Sequence, residues 1–227
     1  MIVYVAIAVL AAVIVIFIVR AIQDSAKRAR EQKETIARLG FLPCPEEKER
    51  IQSIVAKLES NPKFRYRIEE PKRLGRGDPV YYYVKRRDDP DQEHAIAEEE
   101  VLFPFQRRTA AGLMLVVKPS ALASGFSSDL IGSVATGDYD AQPGGLKRIE
   151  IPPDLKGTNI VGAMGADGLA LYDLVDGRVL SAVQGIGDAG GLAVTFRDDW
   201  CAISSTSRMM PFKLEAVLAC MEGMKRA

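Results

Sequence analysis

The chain opens on a run with no polar break. Ile2 to Val19 is apolar apart from Tyr4, and no charge occurs before Arg20. At 1.5 Å per residue, a helix over that run spans about 27 Å, close to the roughly 30 Å hydrocarbon core of a bilayer. Such a helix satisfies its own backbone polar groups, as lipid demands. A cleaved signal peptide would begin with a basic residue, run shorter and end in small residues. Here bulky Ile16, Phe17, Ile18 and Val19 close the run. Residues 1–19 are therefore expected to form one transmembrane anchor.

Beyond Val19 the pattern turns polar and rich in helix formers, with no Pro before Pro43. Residues 20–42 are expected to form a juxtamembrane helical stalk. Ile22, Ala29 and Ile36 are spaced by seven, a stripe too thin to establish a coiled coil. The cations Arg20, Lys27, Arg28 and Arg30 outnumber the single acid Asp24 in this flank. By the positive-inside rule the expected placement is the cell membrane, with the N-terminus outside and the C-terminal domain cytoplasmic.

Gly40 and the FLPCP stretch end the stalk. Pro45, Glu46 and Glu47 suit a first helical turn, and Ile51, Ile54, Val55 and Leu58 follow at the spacing of an amphipathic helix that ends near Ser60-Asn61-Pro62. Phe64, Tyr66 and Ile68 then alternate with charged residues. After a turn-rich stretch, VYYYVKRR reads as the returning strand of a hairpin. VLFPF, GLMLVVKP, LKRIEIPP and NIVGAMG supply further strands, LALYDLV a short helix, and DGRVLSAVQ fits either. Leu192, Val194 and Phe196 alternate up to Asp198-Asp199, which reads as a turn, with Trp200 starting the return. Phe212 to Met224 closes the chain as an amphipathic helix. The expected fold class is α+β: residues 43–227 form a domain of antiparallel hairpins and amphipathic helices, with a possible subdivision near 104–109.

Composition changes this picture little. Lys plus Arg and Asp plus Glu each number 30, so phosphate attraction by net charge is not available and no nucleic-acid partner is expected. Cys44, Cys201 and Cys220 are odd in number and far apart, which favours reduced thiols, although one pair stays open. Without a C-x-x-C pair, neither a thioredoxin-like site nor structural zinc is indicated.

Val183 to Gly191, VQGIGDAGG, contains the spacing G-x-G-x-x-G at Gly185, Gly187 and Gly190. A dinucleotide fingerprint needs a strand before these glycines and a helix after them, so that phosphates meet the helix N-terminus. Here the alternating GLAVTF follows, and Asp198 and Asp199 come too soon for a ribose-binding acid. The glycines of GTNIVGAMGADG lack the Lys-Ser or Lys-Thr of a P-loop. No cofactor is expected.

The only histidine, His94, lies in the acidic stretch DQEHAIAEEE, and no G-x-S-x-G elbow positions a serine. Asp88, Asp89 and Asp91 are interrupted by Pro90 and do not make a calcium loop, so no metal and no catalytic residue is assigned. The surface singled out is basic: Lys72, Arg73, Arg76, Lys85, Arg86 and Arg87 on the hairpin, with Tyr66, Tyr81, Tyr82 and Tyr83 beside them, together with Arg20, Lys27, Arg28 and Arg30. These side chains suit a partner or anionic lipid, against the plainer reading of a charged strand edge.

The function expected is a single-pass, membrane-anchored interaction or scaffold module rather than an enzyme. One alternative is a tethered small-ligand or enzymatic domain assembled from His94, Asp198, Asp199 and Ser204. Another is an anionic-lipid-sensing surface. The partner and the oligomeric state are left open.

Overall fold

The computed structural model describes residues 19–20, 23, 27, 29–61, 65–75, 77–88, 96–118, 144–189, 192–205 and 212–226. The chain divides into two compact units, Met1–Gly40 and Phe41–Ala227. In the first, residues 29–38 are helical (α1), and Gly40 at φ +84° closes the helix with its N–H donating to the Ala37 carbonyl. Among the described residues no helix is long and apolar enough to cross a membrane. The apolar run, Val19 excepted, lies outside them, as do Ile22 and Arg28.

The second unit is an α+β domain whose described residues form one antiparallel sheet of seven strands. These are β1 (Phe41–Pro43), β2 (Arg65–Leu74), β3 (Tyr81–Asp88), β4 (Ile96–Val117), β5 (Lys147–Arg148), β6 (Ile160–Gly165) and β7 (Leu192–Ser205). The helices are α2 (Lys48–Glu59), α3 (Leu171–Leu174), α4 (Gly177–Gln184) and α5 (Leu214–Arg226). The expected helix through Ile51, Val55 and Leu58 is α2, and those three residues are buried.

The strand β4 organises the rest. One of its edges pairs with β7 from Glu100↔Ser204 to Val117↔Leu192. Its other edge pairs first with β3 and then with β6. VLFPF and GLMLVV are thus parts of one 22-residue strand, and the residues near 104–109 lie inside it. The turn expected at Asp198-Asp199 lies instead inside the continuous strand β7: Asp198 sits at φ +52°, and the register shifts on either side of Thr109 because the extra residues there belong to β4. Alternation survives on both sides of the two aspartates because β4 continues alongside and takes up the irregularity in its own extra residues, so β7 does not reverse.

The pleat distributes the three tyrosines over both sheet faces. Tyr81 and Tyr83 join Ile68, Leu102 and Ala202 beneath Ile51, Val55 and Leu58 of α2. Tyr82 faces the other way and meets Phe212, just before α5, at a ring separation of 6.4 Å. All three are at most 3% exposed, so no aromatic patch is left open.

DGRVLSAVQ resolves as helix. The Asp176 carboxylate accepts hydrogen bonds from the N–H groups of Arg178 and Val179, each at 3.0 Å, satisfying the first turn of α4. The glycine stretch after it is a short 3₁₀ turn, Gly185–Ala189, leading into β7. Helix, glycines, strand is the reverse of the order a dinucleotide site requires.

Candidate functional site

The strand pattern places charge where the core should be. On β3 the residues Tyr81, Tyr83 and Lys85 share one face, and on β4 so do Glu98, Glu100 and Leu102. The register sets Lys85 opposite Glu98 and Tyr83 opposite Glu100. Glu59, the last residue of α2, completes the group from above. The Lys85 ammonium lies 2.5 Å from Glu59, 2.7 Å from Glu100 and 3.2 Å from Glu98. It also stands 5.7 Å from the centre of the Tyr66 ring. The side chains of Lys85 and Glu100 are only 4% and 2% exposed. Tyr83 donates its hydroxyl hydrogen to Glu100, and Arg87 approaches Glu98 at 3.9 Å.

Three carboxylates here face two cations, Lys85 and Arg87, leaving one negative charge in excess when all are ionised. Burial pushes the Glu59 carboxyl above its usual range, and the Glu100 and Glu98 charges add to that against the pull of Lys85. For Lys85, burial favours the neutral amine, but the three carboxylates outweigh it and raise the ammonium well above its usual value. Burial and Glu100 likewise raise the Tyr83 phenol. Lys85 is held as a cation and has no lone pair to offer as a nucleophile. It acts as a fastening between a helix and two strands.

A second fastening holds the same end of α2. Arg197, just before Asp198 in β7, donates to the Lys57 carbonyl at 3.1 Å and to the Gly144 carbonyl at 2.8 Å. Gly112, at φ +74°, lets it pass, since a Cβ there would lie 2.9 Å from its Nε. The N–H of Gly144 donates to the Glu59 carbonyl at 2.6 Å. A Cβ on Gly144 would fall 1.9 Å from the Ser60 carbonyl oxygen, so this approach needs glycine.

Fixed this way, α2 is flanked by two clefts. One, of 460 Å³, has Ile54, Leu58 and Trp200 among its walls, with Lys57, Arg197, Asp198 and Asp199 supplying charge. Trp200 stacks toward Tyr81 at 6.4 Å. The other, of 780 Å³, runs between α2, at Gln52, Ala56 and Ser60, and the start of β2, at Arg65, Tyr66 and Arg67.

The basic residues singled out from sequence are mostly occupied. Lys85 is inside the domain. Arg73 donates to Glu47 at 2.9 Å, Arg86 to Glu69 at 2.7 Å, and Lys72 to Glu70 at 3.2 Å while lying 5.5 Å from the centre of the Tyr82 ring. Glu47 also accepts from Tyr81, and these donors hold its carboxyl below the usual range. Arg76, Arg28 and His94 lie outside the described residues. Arg20, Lys27 and Arg30 are exposed in the N-terminal unit, with Lys27 3.8 Å from Glu31.

Of the residues proposed for an assembled enzyme site, Asp198 and Asp199 share the Trp200 cleft. Ser204 is buried opposite Glu100, beside the charge cluster and away from that cleft. Cys44, Cys201 and Cys220 are free and buried. Burial pushes Cys44 up to about 11, Cys220 up to about 12 and Cys201 well above its usual value, which leaves the thiols unreactive. Among the described residues no group of three His, Cys, Asp or Glu is placed to hold a metal ion. No family model, no curated protein and no solved structure matches the chain.

Two outcomes follow for the buried cluster. Lys85→Met leaves three carboxylates without their ammonium and is expected to cost about 3–5 kcal/mol in urea denaturation. Arg86→Met, at a half-exposed pair, should cost less than about 1 kcal/mol. The second outcome concerns pH. An unfolded Glu59 loses its proton near 4.5, before the folded one does, so its stabilising contribution is complete below that value. That contribution is lost as pH rises through the higher folded value. Denaturation midpoints measured from pH 4 upward should show this fall, and Glu59→Gln should flatten it.

Proposed function

We propose that the chain is a single-pass membrane protein whose domain beyond the stalk is an interaction module held at the cytoplasmic face. The anchor rests on the uninterrupted run from Ile2 to Val19, and the orientation on the cations that follow it. Tethering to a membrane raises the effective concentration of the module against membrane partners.

The observation that carries the interaction reading is the cleft at Trp200. An aromatic anchor beside Ile54 and Leu58, ringed by Lys57, Asp198 and Asp199, has the make-up of a protein interface: an apolar centre and a charged rim. Its helical wall is fastened by the Lys85 cluster and Arg197, so the surface is preorganised and little is lost in ordering it on binding.

A second reading is favoured by one feature of the same cleft, where Asp198 and Asp199 stand with Lys57 and Arg197 as they would around a small charged ligand. Contact with anionic lipid is the third reading. Its best support is the exposed collar Arg20, Lys27 and Arg30, because most of the hairpin cations already have carboxylate partners.

Crosslinking intact cells that express a C-terminally tagged chain, followed by purification from solubilised membranes, tests the first reading. A partner recovered reproducibly should fall about tenfold or more with Trp200→Ala and with Lys57→Glu, each shown by denaturation to remain folded. Recovery of the bait alone would reject the interaction module in favour of a ligand-binding domain.

A further inference from the structure

Three outer edges of the sheet differ in what they leave open. The outer edge of β7 has no partner strand among the described residues; along it Val194, Phe196, Cys201 and Ile203 are 0% exposed, and only Asp198 and Asp199 reach solvent fully. The β6 edge already accepts the Ile149 N–H at the Ala163 carbonyl, at 3.0 Å. The β2 edge is different. β1 pairs only with Lys72, Arg73 and Leu74, and after Cys44 donates to the Pro71 carbonyl the chain leaves the edge to enter α2. A bulge between Glu69 and Lys72, with Glu70 at φ +47°, separates that covered end from the rest. From Arg65 to Glu69 the strand has β3 on one side and no strand on the other among the described residues. Arg65 and Arg67 are exposed.

Beside this stretch runs the 780 Å³ cleft, whose far wall is Gln52 and Ala56 of α2 with Ser60 just past its end, and whose near lining includes Arg65, Arg67 and Asp88. Edge and groove coincide. A strand laid along β2 would pair its backbone with the outward-facing N–H and C=O groups of alternate residues. Its side chains would alternate, one set entering the groove against the small polar wall of α2, the other standing beside Arg65 and Arg67 on the opposite face.

Charge on that opposite face selects what can be added. Arg67 lies directly across from Arg86, a like-charged pair, while Asp88 lies across from Arg65. Arg67 pairs with Asp88 at 3.0 Å and Arg86 with Glu69 at 2.7 Å. At the edge itself three arginines stand against two acids, while Glu99, two strands away on the same face, accepts from the Tyr82 hydroxyl. A charged edge also discourages chance self-pairing. The groove with its small-residue wall is the further feature, and it gives an added strand's inner side chains a place to go.

We propose that the open edge of β2 at Arg65–Glu69 takes an acidic extended segment of a partner protein as an added strand, with small or β-branched polar side chains in the groove and acidic ones beside the arginines. The proposal rests on the interaction-module reading and names the chemistry of the partner.

The probe is a labelled ten-residue peptide of alternating Thr and Glu, titrated onto the full chain in nanodiscs. Binding should weaken with salt, and the complex should slow amide exchange at residues 65–69. Arg65→Glu/Arg67→Glu, shown by its denaturation midpoint to be folded, should weaken binding at least tenfold. The same peptide N-methylated at alternate residues, which removes strand hydrogen bonds but keeps charge, should lose binding. Equal binding of the N-methylated peptide, protection confined to the Trp200 cleft, or no binding below millimolar peptide would overturn the proposal. In the cell-crosslinking experiment, a partner recovered equally by wild type and by Arg65→Glu/Arg67→Glu would remove the edge proposal and leave the tethered module standing. If neither recovers a partner, the module reading itself fails.

Discussion

One ammonium group decides where the helix over the sheet can sit. Lys85 meets carboxylates from the end of α2 and from two positions on β4, within 2.5 to 3.2 Å. A buried charge costs several kcal/mol in lost hydration, and only close, well-directed partners offset it. No member of the cluster can move far without leaving another charge stranded. The arrangement adds little net stability for the same reason that it adds much positional restraint: any shift of α2 along or across the sheet separates opposite charges in a medium that screens them poorly. Arg197 acts on the same helical turn from the β7 side, through backbone carbonyls rather than charge.

The clefts follow from that placement. Both share α2 as a wall, and each takes its other wall from a strand where pairing is irregular: β7 at Asp198, where its register with β4 shifts, and β2 where β1 no longer accompanies it. Bulges and unaccompanied edges are where a sheet can present side chains and backbone to something else. Both clefts are therefore built at the sheet's irregularities, with α2 between them.

Much of this was legible from local pattern. The spacing of Ile51, Val55 and Leu58 is the buried stripe of α2, and the alternation around Ile68 and Val194 marks β2 and β7. Within VQGIGDAGG, Gly185 and Gly187 lie in a 3₁₀ turn ahead of β7, whose alternation is legible downstream. Other features depend on long-range pairing, which local pattern does not carry. Asp198-Asp199 has the composition of a turn, and only the continuing β4 partner keeps it within a strand. Lys85-Arg86-Arg87 and Glu98-Glu99-Glu100 look like separate solvated runs. The usable clue was that Lys85 has the same parity as Tyr81 and Tyr83, so a strand that buries those tyrosines also buries the lysine. A facing acidic run on the next strand then supplies its partners.

The claim that this cluster positions α2 is tested most directly by native-state hydrogen exchange on Glu59→Ala. Alanine is the better helix former, so any loss of protection in the helix comes from the lost contact with Lys85. The amides of Ala56 to Ser60 should exchange about tenfold faster or more, a change of roughly 1.4 kcal/mol in local opening, while those of β3 and β4 stay as protected as before. Unchanged exchange at the end of α2 would show that Arg197 and the apolar stripe hold the helix alone, and the cluster would lose its place at the centre of the structure.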